Sequence, residues 1–261
     1  MIPYFQFIKF YIGPLPINIW GLCVALGIIA AILVTQKFAG FAKLEKQRIF
    51  DMSFWVVLIS LLGGRLFFVI SELSFYLQDP WAIFKVWEGG MSIFGGFIGA
   101  IIVAIIYLKK HKLPVLPYFD AVIFGLPLGL GIGRLGCFFI FDHPGIITNF
   151  FLGERYLDGL VRHNLGLYLS LNGFLLSFVF FWLFTKNKQR FTGFYTIFFL
   201  GWYGLTRFCL DFLRSADLAV SDARYFSLTL AQFLSILMIV GSFILWYYVK
   251  HLKPKEHERQ N

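Results

Sequence analysis

Charge is what this chain has least of. Only 14% of its 261 residues are Asp, Glu, Lys or Arg, against roughly a quarter in a soluble domain. That leaves too little polar surface to cover a water-exposed globule, so a soluble enzyme is excluded. Disorder is excluded as well, since its signature is low hydrophobicity. Acid is the scarcer sign, with 14 Asp and Glu against 23 Lys and Arg. Carboxylates inside the apolar runs are nearly absent apart from Asp211, which argues against a proton or cation transporter. The 3 cysteines, Cys23, Cys137 and Cys209, form no CxxC pair. They fit neither a disulfide framework nor a zinc site and read as small buried hydrophobes. No cluster of metal-ligand type occurs, and no metal or cofactor is expected.

What fills the chain is apolar: 59% hydrophobic residues, 34 Phe and a mean hydropathy of +0.75. The expected fold class is an all-α integral membrane protein, a single polytopic domain over residues 1–261. Seven transmembrane helices are expected, near 14–36, 52–70, 89–108, 121–141, 164–185, 191–210 and 225–249. The first apolar run is much longer than the ~7–15 residues of a signal-peptide core, so it reads as an uncleaved helix. The net charge of +9 does not point to nucleic acid, because the basic residues sit in short clusters between spans. Lys37, Lys43, Lys46 and Arg48, then Lys109, Lys110 and Lys112, then Lys186, Lys188 and Arg190, then Lys250, Lys253, Lys255 and Arg259 occupy one side. Lys9, Lys85, Arg155, Arg162, Arg214 and Arg224 occupy the other. The bias places the C-terminus in the cytoplasm and the N-terminus outside. Trp81 and Trp87 suit an interfacial belt on the outer side, and residues 142–163 read as a polar outer loop.

Three arginines, Arg65, Arg134 and Arg207, fall inside spans. A guanidinium at the bilayer centre costs from ~2.5 to over 10 kcal/mol, so each must be paired, hydrated or able to snorkel. Tyr203, Arg207, Asp211 and Arg214 are spaced i, i+4, i+8 and i+11 and fall within an arc of roughly 80° on a helix. Such a stripe should line an enclosed, hydrated cavity, with Asp211 holding Arg207 or Arg214 and leaving one guanidinium for an anion. Arg134 lies in a glycine-rich run in which Gly125, Gly129, Gly133 and Gly136 make a smooth stripe for close helix contact. Arg134 points to the opposite face if the segment stays helical. Pro127 and the glycines also make local unwinding plausible, which would add backbone N–H groups to an anion site. Arginine binds phosphate bidentately and does not lose its proton. The expectation from residues alone is therefore a membrane-embedded site for an anionic lipid head, open to the outer side.

The run Gly133-Arg-Leu-Gly-Cys-Phe-Phe-Ile-Phe-Asp-His-Pro-Gly145 resembles the signature segment of bacterial phosphatidylglycerol–prolipoprotein diacylglyceryl transferases. Ile12-Gly-Pro-Leu-Pro-Ile17, Gly64-Arg65, Trp87-Glu-Gly-Gly-Met-Ser92, Asp120 and Tyr203-Gly-Leu-Thr-Arg207 are similar to that family too, in the same order. The resemblance implies transfer of the diacylglyceryl group of phosphatidylglycerol to the lipobox cysteine of a prolipoprotein in the bacterial inner membrane. Glycerol 1-phosphate leaves. Its implied partners are phosphatidylglycerol, prolipoprotein signal peptides and membrane lipids. It implies a catalytic set of Arg134, Arg207, Tyr203 and Asp211, and a substrate-binding set of Arg134, Arg65, Gly133, Asp142 and Arg214. The chain departs from the family at Trp20, Phe94, Cys137, Ile140, Asp142 and Asp211, where Tyr, His, Asn, Asn, Glu and Glu are usual. The family's Pro-x-Gln-Leu-Tyr-Glu run is also replaced, after His163. The departures keep a second reading open, a family member that binds anionic phospholipid with weak or no catalysis, and a transporter stands third. His143, next to Asp142, reads as an exposed loop residue before a base.

Overall fold

The computed structural model describes residues 1–85, 90–142, 144–187, 190–218 and 224–252. Trp87, His143, Lys188, Lys253, Lys255 and Arg259, all used in the sequence reading, lie outside the described residues, and so does the start of the third expected span at 89. The chain divides into two compact units, residues 1–38 with 119–261, and residues 39–118.

The structure is mostly helical. Among the described residues, five helices are long and apolar enough to cross a membrane: α1 (Ile19–Phe41), α2 (Lys46–Ser71), α5 (Val115–Phe139), α6 (Leu165–Lys186) and α8, whose helical course (Leu230–Tyr247) continues in a wider turn to Leu252. Two more helices of 18 residues each, α4 (Ile93–Lys110) and α7 (Phe194–Asp211), complete the long elements, and α3 (Leu73–Tyr76) is a single turn. The protein is a multi-pass membrane protein, and apolar side chains such as Leu33, Leu61, Ile106 and Phe243 stand exposed along its helices.

It is not purely helical, however. Among the described residues, three small antiparallel sheets decorate the connections: β1 (Lys9–Ile12) with β2 (Leu15–Asn18); β3 (Pro144–Ile147), β5 (Val161–Asn164) and β4 (Glu154–Arg155) in that spatial order; and β6 (Arg224–Tyr225) with β7 (Leu228–Thr229). The first explains why α1 begins at Ile19 rather than near residue 14. Gly13, at φ +60°, turns the hairpin, Pro14 and Pro16 have no amide proton for a helix, and Asn18 Oδ1 accepts from the backbone amides of Trp20 and Gly21 at 2.9 and 3.3 Å. Within the polar stretch 142–163, the segments 144–147, 154–155 and 161–163 are strands of the second sheet.

In the first unit, helices meet through small residues. A Cβ on Gly27 would stand 2.5 Å from the Gly129 carbonyl oxygen, and one on Gly125 would stand 2.4 Å from that of Ala31. Gly136 lies on the Trp20 backbone in the same way. The expected glycine stripe of α5 is therefore an antiparallel seam against α1. A second seam joins α5 to α6, where Gly173 meets the backbone of Gly131 and Ser170 Oγ donates to the Gly131 carbonyl at 2.7 Å. The expected unwinding does not occur: α5 runs unbroken from Val115 to Phe139 across Pro127. Its glycines are used for contact with two neighbouring helices, and that packing holds the helix together across the missing proline donor. An aromatic cluster of Phe124, Phe180, Tyr195 and Phe199 fills the space among α5, α6 and α7, with Phe38 stacked on Phe124 at 4.3 Å. At the start of α7, the Asp120 carboxylate accepts from the backbone amides of Gly193 and Thr196 at 2.5 and 2.9 Å and from Thr196 Oγ1 at 2.7 Å. It neutralises the positive end of that helix.

In the second unit, α2 and α4 pack antiparallel along another glycine seam. A Cβ on Gly63 would meet the Gly95 carbonyl oxygen at 2.5 Å, and one on Gly99 that of Ile59 at 2.9 Å.

Gly129→Val puts its Cβ 2.7 Å from the Gly27 carbonyl oxygen and 2.9 Å from the Ala31 Cβ. The α1–α5 pair must separate, at a cost of about 1–3 kcal/mol. Thermal unfolding in detergent should show a clear loss, while Gly21→Ala, with nothing within 4 Å, should be tolerated.

Candidate active site

The first unit assembles the site from α5, α7 and the segments that follow each of them. Arg134 and Gly133 are in the last two turns of α5, Tyr203, Arg207 and Asp211 are on α7, and Arg214 follows directly after it. Asp211, with 0% exposure, is the centre of the polar group. Its Oδ1 lies 3.0 Å from an Nη of Arg207 and 3.8 Å from one of Arg214. Thr229 Oγ1 donates to its Oδ2. Thr229 is the N-cap of α8 and forms a reciprocal capping box with Gln232, so the carboxylate is tied to a fixed helix end. Of the expected stripe, Tyr203, Arg207 and Asp211 are on α7 and Arg214 lies just beyond its end; Asp211 engages both arginines rather than choosing one, with Arg207 the closer.

Arg134 sits where its positive charge acts on Tyr203, Cys137, Asp142 and Arg207. Its Nη1 points at Cys137 Sγ at 3.8 Å. Tyr203 stacks flat on Phe199, with centroids 5.2 Å apart and 9° between planes, which fixes its ring. Gly133 has open space where a Cβ would stand. Two guanidinium groups from different helices, both largely withdrawn from solvent, thus share one locus with a phenol, a thiol and the carboxylates of Asp142 and Asp211. Such a locus can neutralise a phosphodiester and stabilise charge on it as a bond to its oxygen breaks.

The ends of α5 and α7 are held together by β3. Ile146 N donates to the Leu213 carbonyl at 2.8 Å, and Ser215 N donates to that of Pro144 at 3.2 Å. Gly145 lies against the Leu213 carbonyl and His163, where a Cβ would stand 2.6 and 2.7 Å from them. Arg162, buried at 2% exposure, reinforces this junction. It donates to Asp217 at 2.7 and 3.1 Å, to Asp158 at 2.9 Å and to the Gly145 carbonyl at 3.2 Å. The Arg162 guanidinium holds the Asp217 carboxyl below its ordinary range. In the sequence Arg162 and Glu154 stand among the charges of an outer connection, and nothing marks Thr229 as a partner of the site. The Thr229-Leu-Ala-Gln232 spacing is a readable capping-box signal, but nothing local tells that the cap reaches Asp211. His163 Nδ1 hydrogen-bonds the Tyr168 hydroxyl at 2.7 Å, and burial lowers its pKa.

Arg65, expected among the substrate-binding residues, belongs to the second unit. Its guanidinium donates to the backbone carbonyls of Ile83, Gly90, Ala82 and Lys85 at 2.9, 2.8, 2.5 and 3.4 Å and stands over the Tyr76 ring. It closes the turn that follows α2.

Residues 7–248 match the family model described as Prolipoprotein diacylglyceryl transferase. The chain belongs to that family. It is 36% identical to the Phosphatidylglycerol--prolipoprotein diacylglyceryl transferase of Neisseria meningitidis serogroup B over 284 residues, covering 98% of this chain and 99% of the relative. The protein of the same name from Pseudomonas putida is 34% identical, with 97% and 98% covered. That from Ehrlichia canis is 32% identical, with 95% and 97% covered. The likeness therefore runs the length of the chain, and this member of the diacylglyceryl transferase family carries its buried arginines on α5 and α7 within the matched region.

Glu154 is a further buried carboxyl in the unit, with 0% exposure. Burial pushes it up to about 7, although Asn164 Nδ2 donates to its Oε2 at 2.7 Å. An acid whose folded pKa is raised supports the fold below its unfolded pKa of ~4.3 and loses that support as pH rises through about 7. Glu154→Gln keeps an acceptor for Asn164 and removes the ionisation. At pH 8 the variant should be more stable than the wild type by about 1–3 kcal/mol, and at pH 4 the difference should vanish. Thermal unfolding at the two pH values reads this directly.

Proposed function

We propose that this chain transfers the diacylglyceryl group of phosphatidylglycerol to the lipobox cysteine thiol of a prolipoprotein. The observation that carries the reading is the pair of half-buried guanidinium groups, Arg134 on α5 and Arg207 on α7, the latter steadied by Asp211. Membership of the diacylglyceryl transferase family supports it. In the reaction the cysteine sulfur attacks the glyceryl carbon next to the phosphate. The S–C bond forms, the C–O bond breaks with its electron pair on oxygen, and glycerol 1-phosphate departs while the thiol proton passes to solvent. The leaving phosphate gains negative charge as the bond breaks. Arg134 binds it as a fork and Arg207 neutralises the added charge. Tyr203 donates from its fixed ring. Asp211 positions Arg207 and Arg214 rather than taking the proton, since its two oxygens are already engaged by those arginines and by the Thr229 hydroxyl. Gly133 gives the lipid head room beside Arg134, with Asp142 and Arg214 at its edge. Arg65 acts one step back, by holding the backbone carbonyls of Ala82, Ile83, Lys85 and Gly90.

The architecture that goes with this reading is one membrane domain of seven spans, α4 and α7 completing the five longer ones, with the lipid site open to the outer side. The N-terminus is outside and the C-terminus cytoplasmic, from the charge bias of the connections. A periplasm-active reporter fused after Leu252 should be silent, and one inserted at Leu157 should be active. The reverse pattern overturns the orientation.

The chain should rescue a cell depleted of its own diacylglyceryl transferase and release glycerol phosphate with a lipobox peptide. Arg134→Lys keeps charge but loses the fork, and activity should fall by a factor equivalent to ~2–5 kcal/mol. Arg207→Ala should be more damaging than Asp211→Asn, and Asp211→Glu should be tolerated. Equal loss in Arg207→Ala and Asp211→Asn, with the acidic limb gone from the pH–rate profile, would make the carboxylate the base. Wild-type protein that binds the lipid without releasing glycerol phosphate would reduce the site to a binding site.

A further inference from the structure

The second unit contains a cavity of its own, about 330 Å³ in volume, where α2 begins and α4 ends. None of its lining residues belongs to the arginine site of α5 and α7. The glycine seam that runs Gly63 on Gly95 and Gly99 on Ile59 brings the two helices to backbone contact, so Arg48 near the start of α2 stands opposite His111 at the end of α4. Arg48 Nη1 and His111 Nδ1 are 3.2 Å apart. A guanidinium can only donate, so Nδ1 accepts and the imidazole proton is on Nε2. Arg48 Nε donates to Glu45 at 3.2 Å, and the Tyr107 ring packs on His111 with centroids 4.5 Å apart. These contacts, with the Tyr107 hydroxyl as a further hydrogen-bond partner of Arg48, fix the guanidinium and engage only part of its five N–H groups. Asp51, also in the wall, accepts from Gln47 at 2.8 Å.

The rest of the wall is apolar. Phe54 and Trp55 pack edge to face at 5.5 Å and are 59% and 45% exposed, on a helix apolar enough to cross a bilayer. A cationic, hydrogen-bonding end and an aromatic flank that faces hydrocarbon match the two halves of a phospholipid. The sign of the charge selects among lipids. Lys46, Lys109, Lys110 and Lys112, all exposed, flank Arg48 and His111 along the chain, against Glu45 and Asp51. The excess is positive, which a zwitterionic head does not use and an anionic one does.

We infer that this cavity binds the head of an anionic phospholipid, with Arg48 on the phosphate, Asp51 accepting from a head-group hydroxyl, and Phe54 and Trp55 against the upper acyl chain. The bound lipid staples the start of α2 to the end of α4. Binding here depends on neither the transfer reaction nor the orientation of the chain. On the proposed orientation the lipid belongs to the cytoplasmic leaflet.

The full chain in detergent can be titrated with dioleoyl phosphatidylglycerol, with dioleoyl phosphatidylcholine as the zwitterionic match, and bound lipid counted by native mass spectrometry. Arg48→Gln should weaken one phosphatidylglycerol site about five- to tenfold, leave phosphatidylcholine binding unchanged, and leave glycerol phosphate release at saturating lipid as in the wild type. Excess inorganic phosphate should not displace the lipid. If Arg48→Gln does not fold, the exposed pair Lys109→Gln with Lys110→Gln should weaken binding in the same direction. Phosphatidylglycerol with brominated chains should also quench the fluorescence that Trp55→Phe removes. Undiminished phosphatidylglycerol binding in the folded variants, equal affinity for the two lipids, displacement by phosphate alone, or no quenching of Trp55 would each overturn the inference. Loss of transfer in Arg48→Gln with phosphatidylglycerol binding intact would do so as well. Loss of transfer in Arg134→Lys, with this site still occupied, bears on the reaction alone.

Discussion

A carboxylate with no exposed surface, placed between two guanidinium groups in an apolar chain, is the constraint around which the first unit is organised. Asp211 cannot be left unpaired there without a large desolvation cost, and neither can Arg207. Each removes the other's penalty, and Thr229 satisfies the second carboxylate oxygen. The consequence is mechanical as well as electrostatic. Thr229 is the cap of α8, Arg214 leads into the segment paired with β3, and Arg207 is on α7, so one carboxylate ties three parts of the chain to the place where Arg134 arrives on α5.

Arg134 arrives there because of packing that involves no charge at all. The glycines of α5 let its backbone touch those of α1 and α6, which sets the rotation of the helix and turns Arg134 toward α7. Close contact through small residues is a main source of helix association in lipid, where burial of apolar surface brings no gain between helices. The same device in α2 and α4 sets Arg48 opposite His111. In both units a glycine seam decides where an arginine points.

The sheet of β3, β5 and β4 supplies what helices alone lack, a rigid link between the end of α5 and the end of α7. Arg162 stands inside that link with Asp158, Asp217 and the Gly145 carbonyl as partners. The glycine at 145 is required by distance rather than by dihedral freedom, since the Leu213 carbonyl and His163 occupy the space a side chain would take.

Much of this was legible in the residues in order. Scarcity of charge and long apolar runs declared a membrane protein. The i, i+4, i+8 and i+11 spacing of Tyr203, Arg207, Asp211 and Arg214 put them on one helical face, and the four-residue recurrence of glycine in α5 marked a contact surface. These are properties of a single helix, and helical periodicity writes them into the sequence. What the sequence left undecided was every pairing between elements far apart along the chain. That Asp211 meets both arginines and Thr229, that Arg162 bridges 158 and 217, that Arg65 is spent on the carbonyls of residues 82–90, and that α5 continues through Pro127 all depend on which backbones lie side by side. Side-chain reach and helix rotation in the packed structure settle those matters, and no local pattern of residues carries that information.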